Sequence, residues 1–501
     1  MSEPVLSHPG VERLIRRRTR KDPKPHFKPD TTAQLDAIAG CPAYQVPADH
    51  LARAVKRIVG RLDLSAVEAQ YSSLGRHGFG PRNLLAVWVY ASLIGLHHGT
   101  QLARALKTDV ALRLLSGGHA ISRSKLNAFR QQHGALFEDC VAQTVAMAQA
   151  EGLLALDDLA ADSMRLRAHA STKAIRTRSR SQKRLAELAT VDERTLSEAE
   201  RETHRAKVKK HTQAVAACEA RGRSSVVTTN PSAVLMKFPD GAGVAGHRIS
   251  TVASGVQARF IVAVLVSADT NDYGLLEPLV EQTQKQLAQL GVPAGTKLQI
   301  AADAGYCAQA DLAFAARVRE RIDLLIDGAH RPEGSSRGFG RERFTIHADG
   351  TATCPAGRAM HGPRRHSDEH TMWTGIGCSQ CPLRPECTKG RTRTLLVNVE
   401  LDRLREAMQA RLAEPGAKAR YNRRIATVEP VFSNIESTMG YRRASSRFEQ
   451  TIVAEVMLKV LAHNLSRLLA ARRLSRVYCQ VTESGTLRPL QPSETQFLAT
   501  L

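Results

Sequence analysis

The groups in this chain best suited to chemistry are three acids in apolar or basic settings. Asp162 stands in ALDDLAADSMRLRAHAS, Asp303 follows an apolar β-like run in LQIAADAGYCAQ, and Glu429 lies in the basic helical stretch YNRRIATVEPVFSNIE. Carboxylates are the donors that the hard cations Mg²⁺ and Mn²⁺ prefer. Two such ions about 3.5–4 Å apart can activate a water or hydroxyl against a phosphodiester and stabilise the leaving oxygen. Composition and pattern alone do not select these three among 48 acidic residues. A solvated surface acid is the default for any one of them. Asp157 and Asp158 compete with Asp162, and Glu436 lies seven residues from Glu429 on the same helical face.

A second candidate centre is built from sulfur. Cys354, Cys378, Cys381 and Cys387 fall within one 34-residue window rich in Gly, Pro, Arg and His. Cys378-x-x-Cys381 is the tight half of a tetrahedral thiolate site, and Cys354 and Cys387 can complete it. So small a module needs a staple, and structural Zn²⁺ would supply one. Free thiols, three thiolates with His361 or His366, or an iron–sulfur cluster are the other readings of the same residues.

The elements that must position these groups are read from composition and periodicity. With 501 residues the chain exceeds one hydrophobic core, and 43% hydrophobic content is ample for burial. The formal charge of +23 points to a polyanionic partner and says nothing of fold. Nucleic acid is expected rather than membrane, because the longest apolar run, Leu84 to Leu96, is too short to span a bilayer. The N-terminal charges are followed by no apolar stretch, so a cytoplasmic setting with reduced thiols is expected.

Residues 1–30 read as a basic arm and 31–148 as a helical domain. In the latter, HLARAVKRIVGRLDL and PRNLLAVWVYASLIGL repeat apolar residues at three- and four-residue spacings. Apolar β-branched runs (RFIVAVLVSADT, KLQIAADAG, RIDLLIDGA) interleave with amphipathic helices from 149 to 331. Together with 396–476 they predict an α+β or α/β domain with a mixed sheet. A charged helical insertion, 173–223, interrupts that domain, and its opening KAIRTRSRSQKR holds six basic residues and no acid. Backbone phosphates suit this first half; the second half reads as a solvated face. The Cys-rich module occupies 332–395, and a tail follows from 477 to 501.

These motifs, in this order, resemble bacterial insertion-sequence transposases of the DDE type over nearly the whole chain. ADHLARAVKRIVGRLDLSAVEAQYSSLGRHGFGPRNLLAVWVYASLIG is similar to their N-terminal helical domain. ADSMRLRAHAS resembles the first-aspartate motif, ADAGY the second, and RRIATVEPVFSNIESTMGYRR the helix carrying the glutamate. SADTNDYGLLEPLV, the cysteine module and the closing EVMLKVLAHNLSRLLA are likewise similar. The resemblance implies an RNase H-like core with a mixed five-stranded sheet, two Mg²⁺ or Mn²⁺ ions on Asp162, Asp303 and Glu429, and metal-dependent cleavage and strand transfer. It implies double-stranded DNA partners, both terminal inverted repeats and target, and a homodimer that brings two ends together. Arg165, Arg167, Lys173, Arg176, Arg178, Tyr421, Arg424, Arg442 and Arg443 are the expected DNA contacts.

Three departures set this chain apart from the pattern. Glu436 replaces a lysine that binds terminal DNA, His169 replaces an Asn, and GHRIS at Gly246 to Ser250 replaces Gly-Tyr-Asn-x-Gln. They motivate an alternative, a catalytically impaired DNA-binding regulator derived from a transposase. A zinc-dependent RNA-binding protein is a third class, which ADAGY and the ordered acids oppose.

Overall fold

The computed structural model describes residues 27–34, 41–72, 76–293, 295–328, 338–477, 479–481 and 487–489. Most of the basic arm and of the tail therefore lies outside the described residues. The chain forms two compact units. Among the described residues no helix is long and apolar enough to cross a membrane.

The first unit is helical and comprises Met1–Thr144, Thr438–Tyr441 and Phe448–Leu501. Its helices are α1 (Leu51–Arg61), α2 (Ser65–Glu68), α3 (Pro81–Leu93), α4 (Gly99–Ala105), α5 (Val110–Leu115), α6 (Arg123–Gln132) and α7 (Gly134–Ala150), whose last residues pass into the second unit. Pro81 opens α3 at a position where its missing N–H costs nothing. α3 is buried almost all round, and the indole N–H of its Trp88 donates to the Leu126 carbonyl at 3.1 Å. The long closing helix, Glu449–Val477, belongs to this unit rather than to the sheet domain expected for 396–476. Buried polar groups tie it there: Glu455 faces Arg130 at 3.6 Å, and Lys459 donates to Ser92 Oγ at 2.8 Å. Burial pushes the Lys459 ammonium down to about 7, with Glu455 opposing the shift and Arg130 adding to it.

The second unit, Val145–Ser437 with Arg442–Arg447, carries the sheet. β1 (Leu159–Arg167) is followed by β2 (Ile175–Thr177), the helices α8 (Arg178–Ala189) and α9 (Glu198–Ala220), and β3 (Ser225–Val227). β2 and β3 pair antiparallel and close this helical insertion at its base. The chain continues through β4 (Val234–Lys237), β5 (Gly243–Ser254), β6 (Phe260–Ser267), α10 (Leu276–Gln289), β7 (Leu298–Ala302), α11 (Gln309–Val318) and β8 (Ile322–Ile326). β5 runs antiparallel to β1, from Leu159↔Ser254 to Arg167↔Gly246. Its other edge takes both β6 and β4, while β7 joins β1 in parallel and β8 joins β7 in parallel. The sheet therefore has six strands, one more than expected, because the short VLMK segment after the insertion adds β4.

Side-chain alternation divides the sheet into two faces. Leu298, Ile300 and Ala302 of β7 join Ile322, Leu324 and Ile326 of β8 in one core with α10 and α11. Ala301 and Leu325 point the other way, to a smaller cluster with Leu412, Ala417 and Tyr421. Those last residues come from α12 (Val399–Ala413) and α13 (Ala417–Ser433).

A buried ion pair fixes α12 against the strand that ends the sheet. Arg411 Nε donates to Asp323 Oδ1 at 3.1 Å and Nη2 to Oδ2 at 2.5 Å, and Arg420 of α13 reaches the same carboxylate at 3.5 Å. Removing one partner leaves the other charge buried and unpaired. Asp323→Ala should therefore destabilise the protein by about 3 kcal/mol, and Asp323→Asn by less, as read by urea unfolding.

Candidate active site

Register brings two of the predicted acids together. The parallel pairing of β1 with β7 ends at Ala161↔Ala302, so Asp162 and Asp303 are the next residues on neighbouring chains. Adjacent strands lie about 4.8 Å apart. Asp162 shares the parity of Ala160, and Asp303 that of Ala301, so both stand on the face covered by α13. Asp303 caps the 3₁₀ turn Ala304–Tyr306, accepting the Gly305 N–H at 3.3 Å. Asp162 Oδ1 accepts the Ser163 N–H at 2.7 Å.

Two carboxylates this close, one largely buried, repel each other and lose hydration, so they require a cation. Arg424 of α13 supplies it. Its Nη1 donates to Asp162 Oδ2 and its Nη2 lies against Asp303 Oδ1, each at 3.0 Å, and the guanidinium is only 9% exposed. Tyr421 lies beneath, with its ring centre 5.7 Å from the Arg424 guanidinium carbon. Burial still pushes the Asp162 carboxyl up to about 6. The Ser163 N–H and Arg424 lower it, while Asp303 and Asp272 raise it.

The opposite face holds a second network that sequence reasoning missed. Ser163 Oγ donates to Asp272 Oδ1 at 2.5 Å, and Arg248 Nη1 reaches the Ser163 hydroxyl at 2.6 Å and Asp272 Oδ1 at 2.5 Å. Arg248 is 2% exposed and also donates to the Asp269 and Thr270 carbonyls. Gly305 packs closely here: a Cβ at that position would stand 2.7 Å from Asp272 Oδ2, so the Asp272 side chain would have to shift. The network thus joins the loop after β6 to both aspartate motifs. Its signals in the sequence were the Asn-Asp turn of SADTNDYG and the arginine of GHRIS.

The remaining predicted residues are dispersed. Glu429 is exposed on α13, five residues past Arg424 and so turned well away from the face that meets Asp162 and Asp303; it makes no hydrogen bond or ion pair among the described residues. Arg424 and Tyr421, expected at DNA, are buried in this state, the one between the aspartates and the other in the cluster under the sheet. Arg165 donates to the Lys237 carbonyl at 2.6 Å. Arg167 pairs with Asp240 at 2.5 Å and lies over the Phe238 ring. Its backbone bonds to the strand-like segment around Arg442 and Arg443, both of which are exposed. Lys173 is exposed, Arg176 donates to the Lys173 and Ile175 carbonyls, and Arg178 pairs with Glu219 at 3.2 Å. Glu436 lies half-buried in a π-helical turn, Asn434–Thr438; burial raises its carboxyl and Arg442 lowers it.

The four clustered cysteines line one small pocket with Phe339, Arg358 and Leu383. Burial pushes the Cys387 thiol up, Arg393 opposes this, and the other three sulfurs add to it. Neither His361 nor His366 lines that pocket. Among the described residues no group of three or more His, Cys, Asp or Glu side chains is arranged to hold a metal ion. Asp162 and Asp303 nonetheless fit a divalent cation as a pair, since a guanidinium already stands in for positive charge between their oxygens.

The raised Asp162 carboxyl has a sign that can be checked. Its folded value exceeds the unfolded one of 3.8, so its contribution is most favourable below pH 3.8 and is lost as pH rises through about 6. Measured without divalent ions, the stability of the unsubstituted protein relative to Asp162→Asn should fall by on the order of 3 kcal/mol from pH 3.5 to 7.5, read by urea unfolding. A difference that is flat across this range would refute the assignment.

Two family models match the chain. A transposase DDE domain model matches residues 353–469, a span that includes the four clustered cysteines, Arg424 and Glu429. A transposase domain model (DUF772) matches residues 42–132, over helices α1 to α6. Asp162 and Asp303 lie outside both spans. No curated protein and no solved structure matches the chain. A helical stretch that matches a transposase domain model is thus followed by one that matches a transposase DDE domain model, and the pair supports an insertion-sequence DDE transposase.

Proposed function

We propose that this transposase cuts DNA at the terminal inverted repeats of its element and joins the released ends to target DNA, using Asp162 and Asp303 as the heart of the site. One observation carries the reading: two carboxylates stand side by side where parallel strands end, bridged by a guanidinium from the helix that also bears Glu429. The strand order β6-β5-β1-β7-β8, antiparallel for three strands and parallel for the last two, supports an RNase H-like core to which β4 is an addition.

Asp162 and Asp303 would hold Mg²⁺ or Mn²⁺, and Glu429, which faces away from them here, would complete the ligand set only once α13 turned to bring it round. The bound cation supplies an activated water and charge neutralisation at the leaving oxygen. The chain's own residues do the rest. Arg424 holds the two carboxylates in register before DNA arrives, and a phosphate is the anion that would draw it off them. Ser163, Arg248 and Asp272 fix the strand and loop beneath. Two ends must meet, which supports a homodimer as the working form. A structural Zn²⁺ would draw on the four cysteines that line one pocket, which would have to close up to hold it.

The impaired-regulator reading has its own support in Glu436, which sets a carboxylate where the family pattern has a lysine. Restoring the lysine by Glu436→Lys should raise cleavage or end binding if this residue limits the enzyme.

The test is cleavage of DNA flanking the reading frame in Mg²⁺ or Mn²⁺. Asp162→Ala and Asp303→Ala should each lower the rate by about a thousandfold, equivalent to about 4 kcal/mol of barrier, while repeat binding survives. Cleavage persisting in the double variant would overturn the assignment.

A further inference from the structure

The helical insertion between β2 and β3 separates its charges along its length. Residues 173–223 hold fourteen Lys and Arg against seven Asp and Glu. Six of the seven acids, Glu187, Asp192, Glu193, Glu198, Glu200 and Glu202, lie around the turn between α8 and α9. α8 and α9 are antiparallel: Arg178 meets Glu219 at one end, and the Leu188 carbonyl meets His204 at the other. The stretch between that turn and the sheet is consequently basic. Arg180 and Lys183 on α8, and Lys207, Lys209 and Lys210 on α9, are all exposed. None of these five forms an ion pair among the described residues.

Two further observations locate positive potential in the middle and at the root of the insertion. His211, on α9, is held below the usual imidazole range by burial and then by Arg176, Lys210 and Arg184, which converge on it from β2, α9 and α8. At the root, an open cleft of roughly 500 Å³ is lined by Arg178, Ser179, Gln182, Arg223 and Ser224. Glu219 also lines it and is engaged by Arg178, so among the described residues Arg223 is the lining cation without an acidic partner.

We propose that the root and middle of this insertion are a seat for the backbone of duplex DNA: phosphates meet the donors of the root cleft and the exposed lysines midway along α9, while the acidic tip stays clear of the duplex. This rests on the DNA-cutting reading above and extends it to Lys207, Lys209 and Lys210, where the sequence pattern alone suggested a solvated face. Contacts of this kind carry no base information, so they strengthen binding to any duplex equally.

The test uses the full-length protein in buffer without divalent ions and a fluorescent duplex, followed by anisotropy over a salt series. Each phosphate contact contributes about 0.9 to the slope of log K against log salt. The variant Lys207→Glu/Lys209→Glu/Lys210→Glu should bind at least tenfold more weakly near 0.1 M salt, with a slope reduced by roughly 2 to 3, on repeat and unrelated duplexes alike. The milder Lys→Gln triple should show the same slope change with unaltered thermal unfolding. If unsubstituted protein binds duplex and both triples keep its affinity and slope, this inference fails while the DNA-cutting reading stands. If unsubstituted protein binds no duplex at all, the reading beneath it fails as well.

Discussion

Two like charges on neighbouring strand ends are the constraint around which the sheet-bearing unit is arranged. Pairing β1 with β7 in parallel brings Asp162 and Asp303 side by side, where single backbone N–H groups of Ser163 and Gly305 are the only hydrogen-bond donors given to them from their own strand and turn among the described residues. A buried carboxylate pair is tolerated only if cation, hydrogen bonds and geometry are supplied from outside. The supply comes from α13, whose Arg424 forks between them. The position of α13 in turn depends on α12 and the Asp323–Arg411 pair at the last strand. The pair is therefore built as a site that cannot do without positive charge between its oxygens.

The two faces of the sheet divide the labour. On one, Asp162 and Asp303 meet Arg424, with Tyr421 buried beneath. On the other, Arg248 and Asp272 hold Ser163, the residue next to Asp162 in sequence, and Gly305 leaves room for Asp272 beside the second aspartate motif. Strand alternation makes this possible, since adjacent residues of β1 serve opposite faces. A change in the second network would reach the acids through the backbone of β1 and the turn at Ala304–Tyr306 rather than through direct contact.

Much of this was legible in the residues. The apolar β-branched runs announced β6, β7 and β8, and the amphipathic stretches between them announced α10 and α11. Asp303 was marked by ending such a run. Asp162 was not separable from Asp157 and Asp158 by pattern, because what distinguishes it is the register with β7, a property of two distant segments. Arg248 and Asp272 escaped notice for the same reason: each looks ordinary until 24 residues of chain bring them within 2.5 Å. β4 was too short to announce itself. The closing helix was recognised by its broad apolar face, but an apolar face does not name its partner, and buried contacts from Glu455 and Lys459 assign it to the helical unit.

That assignment bears on how the protein is born. The helical unit begins near the first described residues and is completed only by a helix starting at Glu449. A ribosome therefore releases the sheet-bearing unit while the other still lacks one of its walls. Domains otherwise tend to fold in order of synthesis; here the earlier-made helices must wait, partly exposed, for the last-made one. Chains broken off before Glu449 lose not only their end but the integrity of their beginning.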